Sequence, residues 1–509
     1  MKINILFLLF ISITSFSYSQ ASKKINYKAN WSETRPSYPD EIIMVEKVEF
    51  EHEGMRMYCD SAIFNEKENR FNAFGNIHIV QKDTLHIWGD ELYYEGQTKT
   101  AEMFGERIVM KDKQMTMHTT YLILEREQNT IKYTRWADIF DEKSKLRSQK
   151  ATYNMSTKDI LFNSNVEITS DSTKVYSDTM NYNTKTNIST FFGPTNIITN
   201  DSTFIYTELG WYNTKTEESM SVKQSQMINK ERLLQADTLF YNSQTKIGEG
   251  ISNIYIEDTT KKLVVTGNKA YINNKDSLSY TFITNMAMVK QVDSKDTLYL
   301  HSDTIWLDHD TSMNIKFIKA YYHAKFFRND IQGAAEYIKY SLEDSILLMT
   351  NNPVFWNEQN QITADTILMN IGKNNIYGFQ TYYNSLVVQN SDTLTEYRFN
   401  QIGGKRMVGY FENNKLYLVN VFGNAQSIYY IWEENKDTTS SLMGVNIGSG
   451  SEMKVYIDDK KIKKITTITS PVFYTDDEEK IIAEEKTLKG FMWMKKDRPK
   501  TPLDIFIER

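Results

Sequence analysis

The chain has 509 residues, a formal charge of −6 and a single cysteine. An acidic balance leaves no basic footprint, which argues against nucleic acid as the main partner. One cysteine excludes an internal disulfide, and 32 Tyr and 26 Phe against 21 Gly and 7 Pro exclude a collagen-like or disordered chain.

In chain order, the first feature is Met1-Lys2-Ile3-Asn4, a short charged start, followed by an apolar run from Ile5 to Phe16 and small residues Ser17-Tyr18-Ser19 before Gln20. This pattern predicts a secretory signal peptide over residues 1–19. No cysteine stands at the cleavage site, and no later run of about twenty apolar residues could span a bilayer. An exported mature chain without a transmembrane segment is expected. Residues 20–54 form a lead-in.

From Met55 to Asp392 a pattern recurs about every thirty residues. Fixed self-similarity of this kind means stacked supersecondary units sharing one core. Eight units carry an acidic anchor: Asp60, Asp90, Asp178, Glu208, Asp237, Asp303, Glu336 and Asp365. Degenerate anchors at Thr119, Gln149 and Gly267 bring the expected total to eleven. Three residues before the anchor stands an aliphatic residue: Met57, Ile87, Val175, Ile205, Leu234, Val264, Leu300 or Ile362. The residue just before the anchor is small, as at Cys59, Gly89, Ala236 and Ser302. Four residues after it an aromatic recurs, as at Tyr94, Tyr182 and Tyr241, often with Asn next.

Alternation at period two, rich in β-branched and aromatic residues, reads as half-buried strands. Apolar residues take odd offsets before the anchor and even offsets after it. The inward face therefore changes parity at the acid, and a strand that keeps one core needs a bulge or corner there. The stretch Asn183 to Thr186, repeated at Asn213 to Thr216, reads as a hairpin turn. Cys59 fills the small corner slot, which predicts a structural thiol. The array is expected to end near Asp392, with residues 393–509 forming a C-terminal β module that caps it or docks a partner.

The signal peptide, repeats of the type Leu234-Gln235-Ala236-Asp237-Thr238-Leu239-Phe240-Tyr241 and segments such as Gly75-Asn76-Ile77 resemble the OstA-like family. That family includes LptA and the N-terminal domain of LptD. The tail, with Gly423-Asn424-Ala425-Gln426-Ser427-Ile428-Tyr429-Tyr430 and the segment from Trp493 to Pro499, is similar to long OstA-like proteins of Bacteroidota. The resemblance implies an all-β, elongated array of the β-jellyroll type whose apolar groove holds acyl chains. It also implies a periplasmic lipopolysaccharide-transport role toward the outer membrane. The implied partners are lipopolysaccharide or a related acylated glycolipid and other OstA-like transport proteins. The inward row just named would then be the lipid-binding site.

No catalytic or cofactor site stands out, and a non-enzymatic protein is expected. None of the seven histidines has compact metal-ligand spacing. Asp308-His309-Asp310 is the best metal-like cluster and reads as a turn. Two other readings fit the same pattern. One is a parallel β-helix that binds or cleaves polysaccharide; the other is a structural envelope protein that only docks partners.

Overall fold

The computed structural model describes residues 24–113, 115–141, 144–170, 173–199, 203–229, 231–275, 279–292, 296–310, 314–372, 375–392, 397–434, 440–458, 461–469 and 471–507. The signal peptide expected over residues 1–19 lies outside them. Two compact units divide the chain, Met1–Asn187 and Ile188–Arg509. The first runs in strands from Asn26–Lys28 to Thr173–Asn183, the second from Ile188–Phe191 to Val472–Asp476. Every described strand pairing in each unit is antiparallel, from Tyr38–His52 on Met55–Asn65 to Lys415–Glu434 on Ser440–Asp458. The parallel coil considered for a thirty-residue repeat is therefore not what forms.

Long strands are bent in the middle, and the bend has a fixed chemistry. Two consecutive residues take left-handed conformation at Glu46–Lys47, Gly75–Asn76 and Ser164–Asn165 in the first unit. The second unit repeats this at Lys223–Gln224, Ser252–Asn253, Asn285–Met286, Tyr322–His323, Asn351–Asn352, Tyr383–Asn384 and Gly423–Asn424. At each pair the ladder skips: Phe74 pairs with Glu91, then Ile77 with Gly89, leaving Asp90 opposite the left-handed residues. The acid compensates the polar groups exposed by this gap. Asp60 Oδ2 accepts from Asn76 Nδ2 at 2.8 Å, and Asp90 Oδ2 from the Glu106 N–H at 2.9 Å. Asp237 Oδ2 accepts from Asn253 Nδ2 at 2.8 Å, and the Asp365 carboxylate from Asn384 Nδ2 at 3.0 and 3.1 Å. Parity flips at the acid as the sequence pattern requires. In Met55–Asn65 the buried residues are Met55, Met57 and Cys59 before Asp60, then Ala62 and Phe64 after it.

Two degenerate anchors need correction by one residue. In Thr116–Glu125 the inward residues are Met117 and Thr119, so the exposed corner position is Thr120. In Leu263–Asn273 they are Leu263, Val265 and Gly267, so the corner is Asn268. The backbone agrees. The Asn268 N–H donates to the Asn285 carbonyl, just as Asp303, Glu336 and Asp365 donate to Tyr322, Asn351 and Tyr383. Without an acid to mark the place, the alternation alone left the phase open.

The corner also recurs outside the expected array limits. Upstream, Glu46–Lys47 in the strand Tyr38–His52 faces Asp60. Downstream, Ile376–Asn390 pairs with Phe399–Glu412 across the boundary expected at Asp392. Lys405 and Ser451 then occupy corner positions, each opposite a skip in the ladder. The C-terminal region thus continues the sheet as far as Lys461–Ile468 and Val472–Asp476.

The turns between strands are equally regular. Asn183 Oδ1 accepts from the N–H groups of Lys185 and Thr186 at 3.0 and 2.9 Å, and Asn213 Oδ1 from Lys215 and Thr216 at 2.9 and 3.1 Å. Each such turn closes on a left-handed residue, Asn187 and Glu217 here. These Asx turns explain why Asn follows the aromatic in the repeat.

After the last strand, residues 477–507 form a strap with short helical turns at Glu478–Lys480, Ala483–Lys486 and Pro502–Phe506. It runs back over the outer face of the second unit. Gln401 Nε2 donates to the Lys486 carbonyl at 2.9 Å while its Oε1 accepts from the Leu488 N–H at 2.8 Å. Gln361 repeats the clamp on the Met492 carbonyl and the Met494 N–H, at 2.6 and 2.7 Å. Arg498 reaches Gln332 Oε1 at 2.8 Å, and Lys325 Nζ donates to the Ile507 carbonyl at 2.6 Å. Between the clamps Phe491 and Trp493 pack on Leu386, Val388 and Phe399, and Met494 on Val354 and Trp356.

The corner geometry gives a test. Gly75 has φ +74°, and a Cβ there would lie 2.5 Å from Asp60 Oδ2, whereas Gly54 has φ +79° and open space. Gly54→Ala is expected to cost about 1–2 kcal/mol for the left-handed conformation alone. Gly75→Ala adds displacement of the corner carboxylate and should cost at least about 1 kcal/mol more. Chemical denaturation of both variants reads the difference; equal midpoints would show that the corner acid carries no stabilisation.

Candidate functional site

Cross-strand pairing turns the inward residues into continuous rows. In the first unit, Met57 pairs with Ile79, Ile79 with Ile87, Ile87 with Met110 and Met110 with Met117. On the other side of the corner, Phe64, Phe71, Tyr94 and Ala101 make a second row. These side chains are buried, and Phe50 stacks on Phe71 with ring centroids 3.8 Å apart. Tyr94 hydroxyl lies 2.7 Å from His52 Nδ1, both buried at the turn end. The two inner faces therefore touch here, and the first unit encloses a packed core. Only towards its last strands does the row loosen: Val175 is still buried, while Ile168 and Tyr182 are half-buried.

In the second unit the row before the corner runs Ile197, Ile205, Met227, Leu234, Ile256, Val265, Val289, Leu300 and Phe326. It continues through Phe355 to Ile362. Val264 is not part of it. It pairs with Lys290 on the outer side and is only half-buried, because the corner of that strand is Asn268. The core from Val265 onward is closed. Leu300 and Ile362 are buried, and the space between Val289, Leu300, Ile318, Phe326 and Tyr340 is about 10 Å³, no more than one water would need.

The start of the second unit differs. Ile197, Ile205, Met227 and Leu234 are all half-buried. Across from them the second row reads Ser189, Tyr212, Ser219, Tyr241 and Gly248, where later strands place Leu307, Ile318 and Leu347. Ser221 and Gly210 pair beside it. The aliphatic side chains of this stretch are thus only half-buried, and the row beyond the corner alternates serine and glycine with tyrosine. At the corner, Ser225 is fully buried and its hydroxyl has no hydrogen-bond partner. Of the expected inward row, Ile205, Leu234 and Tyr241 lie in this stretch; Met57, Ile87, Tyr94, Leu300 and Ile362 lie in closed core. The loosening itself was not read from the sequence, although the serines and glycines opposite the row were its signal.

Residues 25–178 match the family model of OstA-like proteins, and residues 289–375 match the model described as LptA/(LptD N-terminal domain) LPS transport protein. Each unit thus contains a segment similar to OstA-like proteins. No curated protein matches it.

The remaining candidates have structural partners. Asp308 accepts from Trp306 Nε1 at 2.8 Å and from Lys319 Nζ at 2.6 Å. His309 Nε2 lies 3.1 Å from Thr281 Oγ1, and Asp310 accepts from the Asn314 N–H at 2.8 Å. The three side chains of this cluster thus serve different neighbours. Among the described residues no group of three or more His, Cys, Asp or Glu could hold a metal ion, and no helix is long and apolar enough to cross a membrane.

Cys59 is buried in the corner slot, and burial together with the neighbouring Asp60 carboxylate pushes its thiol up to about 12. Thiolate is the reactive form. Native protein at pH 8 should therefore resist a thiol-specific disulfide reagent and react fully once the first unit unfolds. Rapid labelling of the folded protein would contradict both the burial and the raised pKa.

Proposed function

We propose that this chain holds the acyl chains of lipopolysaccharide or a related acylated glycolipid, as a transport-type protein of the periplasm acting toward the outer membrane. The family models matched at residues 25–178 and 289–375 support the class of cargo. The observation that carries the reading is the half-buried row Ile197, Ile205, Met227 and Leu234, beyond whose corner the row alternates Ser189, Ser219 and Gly248 with Tyr212 and Tyr241. Water contact with these side chains is unfavourable, and each methylene of a bound chain gains about 0.8 kcal/mol on burial. Several methylenes suffice to hold an amphiphile without a covalent step. A passive surface of this kind lowers barriers; direction has to come from an energy source elsewhere. Other OstA-like transport proteins are the proposed partners.

In this reading the closed stretches, with Ile87, Leu300 and Ile362, act as scaffold. Photo-crosslinking residues at Ile205 and Met227 are expected to capture lipopolysaccharide in living cells. The same residues at Ile87 and Leu300 should capture much less, and at the turn residue Lys215 almost none. Filling the surface with Met227→Trp should reduce co-purifying glycolipid several-fold while leaving the unfolding midpoint within about 1 kcal/mol of the parent, since the site has room. Uniform labelling along the row would mean that the closed core opens in cells. An absence of lipid at Ile205 and Met227 would remove the carrier role.

A further inference from the structure

The strap is held to the second unit by its inner side, which leaves its outer side unexplained. Residues 486–500 carry Lys486, Lys489, Lys495, Lys496, Arg498 and Lys500 against one acid, Asp497, a net of +5 in a chain whose total is −6. Of the acids that precede this stretch, Glu479 and Glu484 are exposed and the others are engaged locally. Glu478 pairs with Arg398 at 2.9 Å, Asp476 and Asp477 with Lys480 at 3.1 and 2.8 Å, and Glu485 accepts from the Tyr474 hydroxyl at 2.9 Å. Lys489, Lys495, Lys496 and Lys500 are exposed. Large apolar side chains stand out beside them: Met492 is 59% exposed, Leu503 76% and Ile507 63%. The fold does not need these three for docking. The inner side of the strap already supplies Phe491, Trp493, Met494 and the fully buried Ile505.

We infer that the outer side of the strap is a docking surface for an anionic lipid bilayer. Lysines beside protruding apolar side chains are the combination that interfacial segments use. The ammonium groups meet lipid phosphates, and the apolar side chains enter the boundary between headgroups and acyl chains. The aliphatic stems of lysine extend that apolar contact while the charge stays in water. The glutamine clamps hold the strap by its backbone at two places, while the lysine side chains stay exposed. The opposing charges are Asp497 and Asp504 within and after the basic stretch, and the exposed Glu479 and Glu484 before it. Asp504 is occupied, since it accepts from the N–H groups of Lys500 and Thr501 at 2.7 and 2.9 Å.

The test uses the full mature chain and vesicles that contain no lipopolysaccharide, so its outcome is independent of the acyl-carrier proposal. Co-sedimentation with vesicles of phosphatidylcholine containing thirty per cent phosphatidylglycerol, about that share of anionic lipid, is compared with pure phosphatidylcholine at low and high salt. Binding is expected to the anionic vesicles only, and to weaken with salt. The variant K489Q/K495Q/K496Q/K500Q should lose at least about tenfold in partitioning. A second variant, M492S/L503S, should bind more weakly at high salt, where the apolar contribution dominates. Unfolding midpoints of both variants should stay close to the parent, because the strap is held by Gln361, Gln401, Arg498 and its inward aromatics. Parent protein that fails to bind anionic vesicles, or a quadruple variant that binds as well as the parent, would overturn the inference. Binding to free phosphate or lipopolysaccharide aggregates without vesicle binding would overturn it too.

Discussion

Everything in this protein depends on one local conflict and its resolution. A strand that must contribute to two facing sheets has to turn, and here it turns through two successive left-handed residues. For any residue but glycine that conformation is unfavourable, and it leaves backbone groups without ladder partners. The conflict is answered by the carboxylate or amide on the neighbouring strand, as Asp60 answers Asn76 and Asp237 answers Asn253. Asn is frequent among the left-handed residues because its short polar side chain tolerates the geometry and supplies the donor. Each corner also resets the side-chain phase. A slip of register within one limb would turn its apolar residues outward only as far as the next corner.

Given such corners, packing is decided by what fills the angle between the limbs. Where Phe, Met, Ile and Leu face one another, as at Phe50 and Phe71 or Leu300 and Ile318, the limbs close and water is excluded. Where the row beyond the corner carries Ser219, Ser221 and Gly210, Ile205 and Met227 stay half-buried. One scaffold thus yields both a core and an apolar surface that lacks a partner, and the difference lies in a few side chains. Ser225 is buried among these residues with no hydrogen-bond partner for its hydroxyl. A well-packed alternative would place an aliphatic residue there, as Ile254 does one corner later.

Much of the fold was legible because the corner acid is a chemical marker as well as a geometric one. Asp60, Asp90, Asp237 and Asp365 could be aligned by eye, and with them the aliphatic, small and aromatic positions. Where the marker is missing, the phase became ambiguous. The alternation points to Thr119 and Gly267 where the corners are Thr120 and Asn268, and to Val264 where the inward residue is Val265. Past Asp392 the repeat was lost because Lys405 and Ser451 occupy the corner, yet the ladder continues through Gly403 and Gly450. Burial depth was not legible at all. Ile87 and Ile205 hold the same position in the pattern, and only the residues across the sheet, a strand or more away, make one closed and the other half-open.

The strap shows a different economy. Gln361 and Gln401 grip a carbonyl and an N–H two residues apart, groups that every residue type except proline supplies. Recognition by the backbone places no demand on the side chains that point away from the sheet. The outward positions of the strap can therefore be rewritten without loosening it, while the glutamines and the inward aromatics cannot. The second unit thus carries a replaceable label: a surface whose chemistry can change from one relative to another while the array beneath it stays the same.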